Sequence, residues 1–153
     1  MIFITLGSQK FQFNRLLKAV DELKTDEEIF AQIGYSDYKP VNYKYKEFLD
    51  RDEFADVMSK SDIVITHGGT GAIIGAVKKG KKVIAVPRLA KYGEHVDDHQ
   101  IQLIGQFKEL GLIYACEDMN LQKALDVVKK TEYNEYKSNT QTIIKSLEEF
   151  IEG

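Results

Sequence analysis

Residues 61–75 read SDIVITHGGTGAIIG, and the way this stretch folds decides the architecture of the chain. Asp62 to Thr66 is a short apolar run of β-branched residues, the pattern of a buried strand. Gly68, Gly69 and Gly71 crowd the turn His67 to Gly71 that follows. Ala72 to Lys79 then reads as a helix, and Gly80 suits its C-terminal cap. Lys82 to Val86 is the next apolar run, stopped by Pro87. Strand, tight turn, helix and strand in this order form the unit from which parallel α/β sheets are built.

The same alternation extends in both directions. Met1 to Leu6 is a continuous apolar run, broken by Gly7 and Ser8. Phe13, Leu16, Leu17, Val20 and Leu23 recur at helical spacing, which predicts an amphipathic helix ending near Lys24. Glu28 to Ile33 reads as a second strand closed by Gly34. Tyr35 to Tyr45 is polar, carries Pro40 and reads as a loop, with KEFL (46–49) a short strand after it. Arg51 to Lys60 is expected to be a helix with Phe54, Val57 and Met58 inward. Beyond Pro87 the polar loop RLAKYGEHVDDHQ (88–100) leads into a helix holding Ile101, Leu103, Ile104 and Phe107. Leu112 to Ala115 reads as a last strand. Two helices finish the chain, one near Asn120 to Lys130 and one near Asn134 to Ile151, whose Ile143, Ile144, Leu147, Phe150 and Ile151 form an apolar face. The expectation is one α/β domain over residues 1–153, a Rossmann-like three-layer parallel sheet.

Composition narrows the function classes. The 153 residues are 43% hydrophobic and 29% charged, ordinary for a globular chain and unlike a disordered one. The net charge of −3 gives no reason to expect nucleic acid as a partner. Cys116 is alone, so neither a disulfide framework nor a cysteine metal site is expected, and a reducing cytoplasmic setting is. MIFITLGSQK (1–10) has no basic n-region and does not read as a signal peptide. No apolar stretch approaches the roughly 20 residues of a membrane helix.

In a doubly wound sheet, ligands sit beyond the carboxyl ends of the strands. Gly7-Ser8, His67 to Gly71, and the loop from Pro87 to Gln100 should lie there. Glycines let backbone N–H groups approach a phosphate, and the following helix N-terminus adds unpaired donors. HGGTG therefore suits a pyrophosphate, while the turn alone is equally consistent with tight helix packing. A P-loop would need GxxxxGK[ST], which is absent, and Gly69, Gly71 and Gly75 give GxGxxxG rather than the dinucleotide fingerprint GxGxxG. In the 88–100 loop, Asp, His and Gln side chains suit sugar hydroxyls, and each single residue there also reads as solvated surface. The two histidines and three acids lack HExxH spacing and gain no cysteine, so no metal is expected. There is no GxSxG elbow for a hydrolase.

Taken in order, several segments resemble the family 28 glycosyltransferase C-terminal domain. IFITLGSQKFQFNRLLKAVD resembles that family's opening strand, Gly-Thr/Ser turn and first helix. IFAQIGYSDYKP is similar to its QxG strand and tyrosine-containing loop. SDIVITHGGTGAI is similar to its strand and donor-phosphate turn, and VIAVPRLAKYGEHVDDHQIQL to the strand and sugar-contacting loop of its bacterial branch. The resemblance covers the chain and is closest to small stand-alone members. These include the catalytic subunit of the eukaryotic two-part N-acetylglucosaminyltransferase that extends dolichol-linked glycans, and bacterial capsule and exopolysaccharide glycosyltransferase subunits.

The resemblance implies the C-terminal, donor-holding half of a GT-B enzyme. A separate membrane-anchored partner subunit would supply the other half and recruit a polyprenyl-linked acceptor, placing this chain at the inner face of the membrane through that partner. Transfer would be inverting and independent of metal or other cofactor, with UDP-sugar as substrate and a galactose-like hexose as the group moved. Gly7, Ser8, His67, Gly68, Gly69, Thr70, Gly71 and Arg88 would surround the donor diphosphate. Glu94, Asp97, Asp98, His99 and Gln100 would contact the sugar, with Asp98 and Gln100 the chosen hydroxyl contacts. His67 and His95 are the candidate catalytic bases by chemistry, and the partner is an alternative source. One position departs from the pattern: relatives place a ribose-binding Glu about five residues before the helix-ending glycine, and here that position is Gly75. Either the ribose is held elsewhere, or donor affinity is weak, or the chain is a non-catalytic interaction subunit that stabilises a partner transferase. A carbohydrate-modifying enzyme such as an epimerase is a further alternative, and it would act without a partner.

Overall fold

The computed structural model describes residues 1–7 and 10–135. Ser8 and the apolar face expected at Ile143, Ile144, Leu147, Phe150 and Ile151 lie outside the described residues. The chain runs β1 (Ile2–Thr5), α1 (Asn14–Asp21), β2 (Ile29–Gln32), β3 (Lys44–Lys46), α2 (Arg51–Lys60), β4 (Ile63–His67), α3 (Thr70–Lys78), β5 (Lys82–Val86), α4 (His99–Glu109), β6 (Tyr114–Ala115) and α5 (Leu121–Lys130). A short 3-10 turn, Ala90–Tyr92, interrupts the loop between β5 and α4.

The strands form one sheet in the order β3-β2-β1-β4-β5-β6, every neighbouring pair parallel. This is the doubly wound order, and the direction of winding reverses between β1 and β4. The central register sets Ile4 beside Ala31 and Ile65, and Ile65 beside Ile84.

Successive strand residues point to opposite faces, and each face has its own core. Ile2, Ile4, Ile63, Ile65, Ile84 and Val86 pack with Leu16, Leu17 and Val20 of α1 and Leu121, Ala124, Leu125 and Val128 of α5. Phe3, Val64, Val83 and Ala85 pack on the other side with Met58 of α2, Ile73, Ala76 and Val77 of α3, and Leu103, Ile104 and Phe107 of α4. The interior strands are apolar on both faces because helices cover both faces. Burying a side chain such as Ile65 contributes about 2–3 kcal/mol against leaving it in water.

Four boundaries differ from the sequence reading. The third strand is Lys44–Lys46 rather than KEFL: Tyr45, half-buried, pairs with Ala31, while the lysines on either side face solvent. That is the alternation of an edge strand, whose only constraint is its single covered face. The next helix does begin at Arg51, as the sequence reading expects, because Asp50 accepts from Glu53 N and the Glu53 side chain returns to Asp50 N, a capping box. Helix α1 stops at Asp21 rather than near Lys24, and Asp21 accepts hydrogen bonds from Val41 N and Asn42 N. The last strand is only Tyr114–Ala115. At the glycine turn, His67 belongs to β4, paired with Val86, and α3 begins at Thr70, so Gly68 and Gly69 alone make the turn. Among the described residues no helix is long and apolar enough to cross a membrane.

Candidate functional site

The loops after β1, β4 and β5 gather at the carboxyl edge of the sheet, beside the point where its winding reverses. Their meeting point is the His67 side chain, only 4% exposed although it ends a strand. A Cβ built on Gly69 would lie 2.3 Å from His67 Cε1, and one on Gly7 would lie 2.7 Å from His67 Nε2. Gly7 also has φ +70°, a conformation that side chains disfavour. A Cβ on Gly68 would stand 2.8 Å from Gln100 Cβ. Three of the glycines are thus required by packing around one imidazole and one amide. Gly71 is different: it is exposed, and a Cβ there would meet nothing within 4 Å.

Gly71 lies in the first turn of α3. That helix has Gly69 as N-cap, no side-chain cap and no acidic residue in its first turn. Its leading N–H groups and the positive end of its dipole therefore face the edge of the sheet without a competing carboxylate. The half-buried Thr70 stands at the same place. Here the turn offers what a diphosphate needs.

His67 is held neutral. Burial above all, with the Arg88 charge second, lowers its pKa to about 3. Gln100 Nε2 lies 3.4 Å from His67 Nδ1, and with the amide donating, the ring proton resides on Nε2, toward Gly7. Such an imidazole is a weak base and a competent hydrogen-bond donor. His95 is also mostly buried, and burial lowers its pKa, with His99 adding to the shift.

The structure brings Arg88, Glu94 and Gln100 together, but into the protein rather than into open space. Arg88 is 1% exposed. Its Nη2 donates to Leu6 O at 2.7 Å, and its Nη1 donates to Phe11 O at 3.1 Å and to Glu94 O at 3.3 Å. Its guanidinium lies 5.1 Å from the centre of the Phe13 ring. Burial lowers its pKa to about 10, so it stays charged at neutral pH. Glu94 accepts from Arg15 Nε at 3.1 Å and Nη2 at 3.0 Å, and from Leu89 N at 3.0 Å. Gln100 Oε1 accepts from Gly68 N at 3.0 Å and Arg88 N at 2.9 Å. These three side chains join the loops to one another; in this arrangement most of their polar atoms are spent on the chain itself, with Arg88 Nε buried and without a hydrogen-bond partner among the described residues. Asp97 and Asp98 remain exposed and His99 half-exposed. Asp98 Oδ1 accepts from Ala90 N at 2.8 Å, and the His99 backbone and side-chain hydrogen bonds hold the Asp97 carboxyl below the usual range.

Arg15 escaped the sequence reading. On α1 it reads as part of the solvated face, yet it reaches 79 residues along the chain to Glu94 and touches Pro87 O at 3.3 Å. Ser36, whose hydroxyl accepts from Phe13 N at 2.8 Å, was equally invisible. Neither carries a local signal, because the partner of each exists only once the strands are side by side.

A hollow of about 670 Å³ lies at the opposite end of the sheet, between Lys78–Lys82 and Glu132–Glu135. It shares no lining residue with the loops above.

A GT-B-type Rossmann half with an open helix N-terminus at its switch point defines a class, and sequence comparison gives the family. The glycosyltransferase family 28 C-terminal domain matches residues 1–152, and the chain belongs to that family. It is 26% identical over 126 residues to the UDP-N-acetylglucosamine transferase subunit ALG13 of Homo sapiens, covering 75% of this chain and 11% of that protein. It is 36% identical over 56 residues to the subunit of the same name in Saccharomyces cerevisiae, covering 37% of this chain and 26% of that one. The chain thus spans well under half the length of these relatives. Among solved structures, an NMR structure of ALG13 superposes with TM-score 0.62 at 20% identity, over 99% of this chain and 96% of that one. A crystal structure of Acinetobacter baumannii MurG superposes with TM-score 0.54 at 21% identity, over 84% of this chain and 41% of that one. The last two likenesses concern the fold alone.

Proposed function

We propose that this chain is the donor-binding, catalytic subunit of a UDP-sugar-dependent hexosyltransferase. It acts with a membrane-anchored partner that supplies the acceptor half and a polyprenyl-diphosphate-linked sugar. The product is a capsular or exopolysaccharide precursor, the hexose is galactose-like, and the chain works in the cytoplasm at the inner face of the membrane. The observation that carries this reading is the uncapped start of α3 behind the open Gly71, at the switch point of a family 28 fold.

In this mechanism an acceptor hydroxyl attacks the anomeric carbon as its bond to the diphosphate breaks, inverting that centre. The growing negative charge on the leaving UDP falls on the N–H groups and dipole of α3, which are preorganised and need no metal. The neutral Nε2–H of His67 supports the same edge as a donor. With a pKa near 3, His67 does not suit the role of general base, and the proton of the acceptor passes to a group on the partner or to His95. Asp97, Asp98 and His99 remain the side chains placed to meet sugar hydroxyls.

The test is calorimetric titration of the chain, alone and with its partner subunit, by UDP and UDP-sugars. Gly71→Asp has room for its side chain and places an acid in the first turn of α3, so it folds normally. It should weaken UDP binding by about tenfold or more, since like charges then meet at the helix start. Gly75→Glu, also into open space, should tighten UDP-sugar binding. Absence of UDP binding by the wild type with its partner present rejects the proposal.

A second reading, a non-catalytic subunit that stabilises a partner transferase, draws on Gly75 and on the engagement of Arg88 and Glu94 with their own chain. Under that reading, transfer by the reconstituted pair is unchanged by Gly71→Asp. Under the first it falls with donor affinity.

A further inference from the structure

Two residues at the start of α1, Gln12 just before the helix and Arg15 within it, grip the loop after β5 from outside. Gln12 Nε2 donates to Tyr92 O at 2.8 Å. Arg15 meets Glu94 as a fork, Nε donating to Oε2 at 3.1 Å and Nη2 to Oε1 at 3.0 Å. The same guanidinium lies 4.7 Å from the centre of the Tyr92 ring, and its Nη2 is 3.3 Å from Pro87 O. A two-bond pair of this kind fixes orientation as well as distance, which a lysine would not.

The grip is passed on to the exposed end of the loop. Glu94 Oε1 also accepts from Leu89 N at 3.0 Å, at the head of the Ala90–Tyr92 turn. The next amide, Ala90 N, donates to Asp98 Oδ1 at 2.8 Å. Two consecutive N–H groups therefore hold two carboxylates. Glu94 is buried and bound to Arg15, and Asp98 is exposed. Asp98 is also the N-cap residue of α4, yet its side chain makes no cap bond to that helix. Its carboxylate is oriented by the 3-10 turn, and the turn is oriented by Glu94.

We propose that Arg15 is a positioning residue for the donor sugar: through Glu94 and the 3-10 turn it sets where the Asp98 carboxylate meets a sugar hydroxyl. This role rests on the donor reading above and adds to it a division of labour. The diphosphate falls to the backbone N–H groups that open α3, whereas the bonds of Arg15 lead only to the loop after β5. Loss of Arg15 should thus weaken recognition of the sugar and spare recognition of UDP.

The experiment uses the full chain with its partner subunit. Wild type is titrated calorimetrically with UDP, UDP-galactose, UDP-glucose and UDP-N-acetylglucosamine, and the UDP-sugar bound most tightly is the probe for the variants. Arg15→Lys keeps the charge but not the fork. It should lower kcat/KM for the UDP-sugar by about tenfold to a hundredfold, the scale of a displaced contact, with UDP affinity and the KM for acceptor unchanged. Removing Arg15 alone would strand the buried Glu94, so the second variant is Arg15→Met combined with Glu94→Met, which removes both charges and keeps side chains of similar length. It should show the same split and unfold near the wild-type midpoint. Asp98→Asn should also weaken UDP-sugar binding, and adding Arg15→Lys to it should cost little more, because both act at one contact. Equal losses for UDP and UDP-sugar in the Arg15 variants, or losses that add to that of Asp98→Asn, overturn the proposal, since Arg15 then serves the fold alone. UDP-sugar binding unchanged in both Arg15 variants overturns it while leaving the donor reading intact. No UDP binding by wild type rejects the donor reading, and the role of Arg15 falls with it.

Discussion

His67 is enclosed by positions where a side chain does not fit, and its protonation is set by that enclosure. Its pKa of about 3 lies below the ordinary value near 6.5, so on acidification the unfolded chain takes up the proton first. The stability contributed by keeping His67 neutral is complete above pH 6.5 and is lost as the pH falls from 6.5 toward 3. Urea unfolding of wild type and His67→Gln between pH 7 and pH 4 should show wild type losing up to about 1.4 kcal/mol more per pH unit than the variant. Parallel curves would place His67 in a solvated site instead. The glycines divide on the same ground. Gly69→Ala drives a methyl against the His67 ring and should cost about 1–3 kcal/mol. Gly75→Ala, inside α3 with open space around it, should stabilise by about 0.5–1 kcal/mol. Chemical denaturation of the two variants reads both signs. None of this division was legible in GGTG, because the sequence shows which residues lack a side chain and not what would occupy the space.

At the scale of elements, the candidate site is three loops held together by side chains of the loop after β5 and by Arg15 of α1. Arg88 follows β5 yet bonds the carbonyls of Leu6 and Phe11, on the chain leaving β1. Glu94, from the same loop, is clasped by Arg15 of α1. Arg88→Met would keep the apolar contact with Phe13 but leave buried carbonyls without donors, and should cost about 3 kcal/mol or more. Arg88→Lys should recover little of that loss, since one ammonium cannot span carbonyls that the planar guanidinium joins. Equilibrium unfolding of both variants measures the difference, and a full rescue by Lys would show that charge alone matters. The sequence reading placed Arg88 and Glu94 at this loop for ligand contact, since a polar side chain on a carboxyl-edge loop looks the same whether it meets a ligand or another loop. Element order was legible because helix and strand periods are local. Their ends were less so: α1 stops at Asp21 where a side chain turns to the 41–42 backbone, and β3 is set by pairing with β2 rather than by its own apolarity.

For the whole molecule, the sheet separates two cores that share strands but not contacts. Ile65 packs on the α1 and α5 side, and its neighbour Val64 on the side of α2, α3 and α4. Ile65→Val and Val64→Ala should each destabilise, by about 1 and 2 kcal/mol, and the double variant should equal their sum within about 0.5 kcal/mol. A larger coupling in denaturant titrations would mean that strain crosses the sheet. The sequence by itself determined this two-sided sheet, because continuous β-branched runs alternating with amphipathic helices have one stable burial, with helices on both faces. It also determined the family, since several segments match in order, and that a helix follows the glycine turn, though its start falls at Thr70 rather than at Ala72. Only the tertiary structure decided which polar residues near that start are open to a ligand. Asp97, Asp98 and His99 remain accessible beside the open Gly71, while Arg88, Glu94 and Gln100 are engaged in joining loops. The physical reason is that a polar side chain's role depends on which partners reach it first, and those partners come from residues that meet only when the sheet is assembled.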